Sequence, residues 1–254
     1  MIEVLIFLLA ASIGSFLNVV IYRLPRQISL LRPASHCPQC KAPVKPWHNI
    51  PILGYLLLRG RCAGCGARIP LRYLLVEIMT PALVLAAWAL LGPTMAFIKL
   101  SVLIFLLIPV TFIDLDHRLI LNKITLPGIV IGLALSIAQA PQQFYQPVLG
   151  MLAGGGFLWL VAIAGRAMYG EESMGGGDIK LGAMLGAFMT PATVLLGLFL
   201  AFFLASIFAV AGMSLGRLER RSAIPFGPFI ALGALVSLNF HEQLLALYLG
   251  LIGY

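Results

Sequence analysis

Residues 95–118 read MAFIKLSVLIFLLIPVTFIDLDHR, an apolar run with one lysine near its start and two carboxylates at its end. Leu100 to Ile113 carry no charge, and about 20 such residues suffice to cross a hydrocarbon core. Comparable runs occur at 2–22, 73–91, 122–140, 146–166, 178–190, 192–214 and 224–250. Because every backbone polar group inside a bilayer must be satisfied internally, the runs predict helices. The expected fold is an all-α membrane protein, a polytopic bundle of about eight transmembrane helices. The run 178–190 is short and follows a glycine cluster, as expected of a helix that begins at a buried site rather than at the membrane surface.

The composition agrees. The chain has 254 residues, 61% hydrophobic and 10% charged, which excludes an ordinary water-soluble domain. Its net charge of +8 does not call for a nucleic-acid partner, because Lys and Arg collect in the cytoplasmic loops of membrane proteins. Residues 1–22 begin with Glu3 rather than a basic segment, and Arg23 and Arg26 follow the apolar run. They read as a retained first helix with its N-terminus outside. With that orientation Arg118, Lys123, Arg166, Lys180, Arg217, Arg220 and Arg221 fall in or beside inner loops, and Lys99 alone lies near the outer side.

The remaining nine bases, Arg23 to Arg72, share one polar stretch, 23–72, that has no acid and holds all four cysteines. Three segments follow: a first helix at 1–22, a cytoplasmic domain at 23–72, and a membrane bundle at 73–254. Cys37-Pro-Gln-Cys40 and Cys62-Ala-Gly-Cys65 are two C-x-x-C turns, each aiming two thiolates at one point. Together they can complete a tetrahedral zinc site, a zinc-ribbon-like arrangement, and in a reducing cytoplasm metal is favoured over disulfides. With all four positions filled by sulfur, the zinc is structural rather than hydrolytic. His36 and His48 are nearby loop histidines and read as solvated.

Of the nine acids, Glu3, Glu171, Glu172, Glu219 and Glu242 lie in termini or loops. Asp114 and Asp116 close one span, Asp178 opens another after Met174-Gly175-Gly176-Gly177, and Glu77 lies within a third. Carboxylates at membrane depth mark a functional site by default. Asp114 and Asp178 both fall near cytoplasmic helix ends, so they can share a site in which one stays protonated while the other takes a proton from water. The glycines leave room for an extended substrate beside the acid. Alternatively, Asp116 and Asp178 cap helices or pair with Arg118 and Lys180, Glu77 pairs with Arg72, or the acids carry protons in a transporter or scaffold.

Several motifs together resemble the type IV prepilin peptidase family, a branch of the GxGD membrane aspartyl proteases, over essentially the whole chain. They are Gly14-Ser15-Phe16-Leu17-Asn18-Val19-Val20-Ile21-Tyr22-Arg23-Leu24-Pro25, Trp47-His48-Asn49-Ile50-Pro51 between the cysteine pairs, Arg59-Gly60, Arg72-Tyr73, Val76-Glu77, Ile113-Asp114-Leu115-Asp116 and Gly175-Gly176-Gly177-Asp178. The resemblance implies that Asp114, rather than Asp116, forms the catalytic pair with Asp178. Asp116, Gly175, Gly177 and Lys180 then stand as supporting residues. Ile224-Pro225-Phe226-Gly227-Pro228 resembles the start of the family's last span, so Pro225 and Gly227 are expected at the substrate groove. Leu121-Asn122 departs from the family's frequent Pro-Asp, at positions that are not catalytic.

The family resemblance implies cleavage of type IV prepilins or type II secretion pseudopilins after a glycine, on the cytoplasmic side of the bacterial inner membrane. It also implies N-methylation of the new N-terminus from S-adenosylmethionine in members with the four-cysteine domain. A cleavage-only enzyme is the alternative within the family. Fifty residues cannot hold a Rossmann methyltransferase domain, so the methyl-donor site is expected where the zinc-held loop meets the adjacent bundle mouth.

Overall fold

The computed structural model describes residues 1–170, 174–219 and 224–251. Glu171, Glu172, Arg220 and Arg221 lie outside the described residues, as does the side chain of Glu242. Nine α-helices are described: α1 Ile2–Arg23, α2 Leu53–Leu57, α3 Leu71–Leu91, α4 Met95–His117, α5 Asn122–Gln139, α6 Tyr145–Tyr169, α7 Gly176–Phe188, α8 Pro191–Ser214 and α9 Gly227–Leu251. Every apolar run of the sequence is a helix. Six of them, α1, α3, α4, α5, α6 and α8, are long and apolar enough to cross a membrane, which makes the chain a multi-pass membrane protein.

The other two runs differ in length. At 13 residues α7 spans about 20 Å, less than the hydrocarbon thickness of about 30 Å. In α9 the φ of −129° and ψ of 16° at Phe240 interrupt the helix. Prolines stand inside α3 (Pro81), α4 (Pro109) and α5 (Pro127), a placement that membrane helices tolerate.

The chain divides into two compact units, Met1–Pro109 and Val110–Tyr254. In the first, α1 packs along α3. Gly14 permits the approach, since a Cβ there would lie 2.9 Å from the Thr80 hydroxyl, and Asn18 Nδ2 donates to the Tyr73 carbonyl at 3.0 Å. Between these helices, residues 24–70 fold into turns, the short α2 and a 3-10 turn at Pro46–Asn49. Their pairing is limited to two isolated antiparallel bridges, His36 with Pro43 and Arg61 with Arg68.

In the second unit α7 is the central element, packed by α5, α6, α8 and α9. Its position depends on four glycines. A Cβ on Gly186 would overlap the Gly150 carbonyl, and one on Gly154 would overlap the Gly182 carbonyl. The spacing 150/154 on α6 faces 182/186 on α7, so two backbones approach at a small-residue interface of the kind membrane helices use in place of hydrophobic driving force. Leu181, Met184, Leu185, Ala187 and Phe188 fill the surrounding core and are almost wholly buried. Gly156, by contrast, faces open space. We predict that Gly186→Leu lowers stability in detergent by at least the ~1–3 kcal/mol typical of overpacking, while Gly156→Leu leaves the unfolding temperature near that of the parent.

Candidate active site

Asp114 sits in the last turn of α4. The helix stops three residues later because Arg118 turns to φ +52° and its N–H closes on the Asp114 carbonyl at 2.8 Å. The Asp114 side chain points inward and is 5% exposed, whereas Asp116, two residues on, is exposed and so lies on the other side of the turn. A buried carboxylate needs donors in place of water. The backbone N–H of Gly227, the first residue of α9, supplies one to Asp114 Oδ2 at 2.7 Å.

Asp178 lies in the first turn of α7, with its own N–H donating to the Gly175 carbonyl at 3.0 Å. It is partly buried, and the Asp114 carboxylate acts on it electrostatically, so the unit brings the two acids together. The glycines ahead of Asp178 have separate roles. A Cβ on Gly177 would lie 2.9 Å from Ile120 Cβ, so the missing side chain lets the start of α7 come down on the segment that follows α4. A Cβ on Gly175 would lie 3.2 Å from Asp178 Oδ2, against the carboxylate itself. Gly176, between them, faces open space.

The remaining supporting residues sort as follows. Gly227 is both donor and spacer, because a Cβ there would lie 2.9 Å from Asp114 Oδ2. Pro225 lies two residues before it, outside the helix, and is partly buried. Lys180 Nζ donates to Asn122 Oδ1 at 2.9 Å, a contact that the sequence pattern did not single out.

In the first unit the four cysteines converge: their sulfur atoms all lie within 4.8 Å of one another, with Cys37–Cys65 and Cys40–Cys62 each at 3.9 Å. No disulfide is formed. A zinc tetrahedron with Zn–S bonds of about 2.3 Å has S–S edges of about 3.8 Å, so the set fits one zinc. One thiol in each turn is lowered, while the neighbouring Cys40 thiol helps push Cys65 up to about 11. The N–H groups of Cys65 and Gly64 pull the Cys62 thiol down to about 6, and those of Cys40 and Gln39 lower Cys37.

Glu77, on α3, is 9% exposed and accepts a 2.7 Å hydrogen bond from the Ile52 N–H. Sequence patterning cannot find this partner, since a backbone N–H leaves no mark on residue type.

The bacterial peptidase A24 N-terminal domain matches residues 8–91, and the type IV leader peptidase family matches residues 100–210. The prepilin leader peptidase/N-methyltransferase of Aeromonas salmonicida (strain A449) is 34% identical over 98% of this chain and 94% of its own length. The protein of the same name from Neisseria gonorrhoeae is 34% identical over 92% of this chain and 89% of its own. That of Myxococcus xanthus (strain DK1622) is 41% identical over 74% of this chain and 56% of its own. No solved structure matches the chain. A multi-pass bundle matched by these models is a membrane peptidase, and the chain belongs to the type IV leader peptidase family.

Gly177→Ala and Gly227→Ala displace one acid each without touching its chemistry. Each is expected to slow leader cleavage by up to about 10²-fold, read as a fall in kcat with the protein still folded.

Proposed function

We propose that this chain is a bifunctional membrane enzyme that removes the leader of type IV prepilins or type II secretion pseudopilins after a glycine and then N-methylates the exposed residue. The observation that carries the first activity is the Asp114 carboxylate, buried, held by the Gly227 N–H and within electrostatic reach of Asp178. Asp114 and Asp178 are the catalytic pair of this reading. One carboxylate, ionised, takes a proton from water as the oxygen attacks the scissile carbonyl; the other, protonated, hands its proton to the carbonyl oxygen. Collapse of the adduct breaks the C–N bond, and the leaving amine takes up a proton from the dyad. Gly175 and Gly177 shape the acid's surroundings, Gly227 holds Asp114, and Pro225 sets the chain entering α9.

The methyl donor, S-adenosylmethionine, supplies a methyl carried on a sulfonium. Its transfer to the new N-terminal amine would leave the sulfur as a thioether and release a proton from the amine. Cys37, Cys40, Cys62 and Cys65 would hold a structural zinc, which would give residues 23–72 a fixed shape. Nine bases and no acid in that stretch support its placement in the cytoplasm, with the dyad on the same side of the bacterial inner membrane.

Asp114→Asn and Asp178→Asn are each expected to lose about 10²–10⁴-fold in leader cleavage while still methylating a peptide supplied already cut; mass spectrometry of the products reads both steps. A variant of either aspartate that cuts at the parent's rate overturns the dyad. Metal analysis of the purified protein should find about one zinc per chain, lost in Cys37→Ser or Cys62→Ser.

A further inference from the structure

The first unit contains a pocket of 390 Å³ that neither the dyad nor the cysteine cluster occupies. Its volume lies within the range of about 300–1,000 Å³ usual for small-molecule sites. Ser15 on α1, Ser35 and Asn49 bring hydroxyl and amide groups to its wall, and Arg23 brings a guanidinium.

Arg23 is unusual. It is 6% exposed, and its hydrogen bonds run to three backbone carbonyls, those of Ser29 at 3.0 Å and of Leu30 and Ala34 at 3.5 Å. All three partners are neutral. A buried cation is normally paired with an anion, yet no Asp or Glu occurs anywhere from Val4 to Val76 and none lines the pocket. A carboxylate carried by a ligand would complete the pairing.

Another part of the wall is built with strain. Pro51 lines the pocket, and the next residue, Ile52, has φ +64° and ψ −56°, with the Leu53 N–H closing on the Pro51 carbonyl at 2.6 Å. That is a γ-turn of the rare, strained hand, here centred on a β-branched residue. Such a conformation persists only where its surroundings over-determine it, and it clusters at ligand clamps. Here the Glu77 carboxylate holds the Ile52 N–H.

The pocket is also tied to the cysteines. The Ser35 carbonyl accepts from the Val44 N–H at 2.8 Å, and the bridge between His36 and Pro43 leads directly into Cys37. A metal that fixes the first cysteine turn therefore fixes the Ser35 side of the pocket.

We propose that this pocket, walled by Ser15, Arg23, Ser35, Asn49 and Pro51, binds the methyl donor, an amino-acid nucleoside whose α-carboxylate pairs with Arg23 and whose polar groups meet the hydroxyls and the amide. The proposal rests on the methyltransferase reading above. It assigns Glu77 the part of a positioning residue acting through the Ile52 turn, and it puts methyl transfer in the unit that holds the cysteine cluster.

The test is equilibrium binding of S-adenosylhomocysteine, an unreactive probe, to the full-length protein in detergent, with methylation and cleavage of a prepilin followed in parallel. Arg23→Gln should weaken binding by about 10–100-fold, the worth of a charge-assisted hydrogen bond. Because Arg23 also ties down its own loop, Ser35→Trp, which fills the pocket, is the second variant. It should abolish detectable binding while keeping the parent's zinc content and unfolding temperature. Leu57→Trp, equal bulk at an exposed site of the same segment, should bind as the parent does. Parent-like binding by Ser35→Trp overturns the proposal, as does a co-purifying anionic phospholipid that Ser35→Trp expels while probe binding persists. A parent that cleaves but neither methylates nor binds the probe overturns the methyltransferase reading itself, and the site falls with it.

Discussion

A carboxylate buried at the end of a membrane helix is tolerable only where the protein replaces the water it has lost, and for Asp114 the Gly227 amide is that replacement. Much of the second unit follows from it. The first residue of α9 must come within hydrogen-bond distance of the end of α4, which requires a residue without a side chain at 227. The start of α7 must come down on Ile120 to bring Asp178 to the same place, which requires another at 177. The short α7 can reach there only because two glycine pairs let it press against the α6 backbone. The glycines that punctuate this sequence are thus spacers for backbone approach, and the acids are where the approaches lead.

The helices were legible because bilayer crossing leaves a coarse mark on composition. The run 73–91 is α3 at Leu71–Leu91, and 178–190 is α7 at Gly176–Phe188, displaced by two residues because the glycines that seemed to precede the helix form its first turn. The break in α9 at Phe240 was not legible, since the apolar pattern continues through it. Among the acids, helical geometry distinguishes Asp114 from Asp116, but spacing alone did not: one residue faces inward and its neighbour two positions on is exposed. Contacts made through the backbone, such as Gly227 to Asp114 and Ile52 to Glu77, leave no residue-type signature and became visible only in three dimensions.

The first unit applies the same economy to a different problem. Residues 24–70 have little regular structure, so their shape depends on local fasteners: four converging sulfurs, two isolated bridges, Arg23 gathering three carbonyls, and Glu77 holding a strained turn. Each fastener uses a side chain from one segment to fix the backbone of another. A metal at the cysteines would therefore be felt at Ser35, a few residues away along the chain.

Cleavage by a carboxylate pair that shares one proton requires an ionised member as base and a protonated member as acid, and the pH dependence of kcat for prepilin cleavage in detergent tests that requirement most directly. The dyad predicts a bell: the rate falls at low pH, where both acids are protonated and no base remains, and at high pH, where both are ionised and no acid remains. A rate that rises through a single titration to a plateau would contradict a shared-proton mechanism at Asp114 and Asp178.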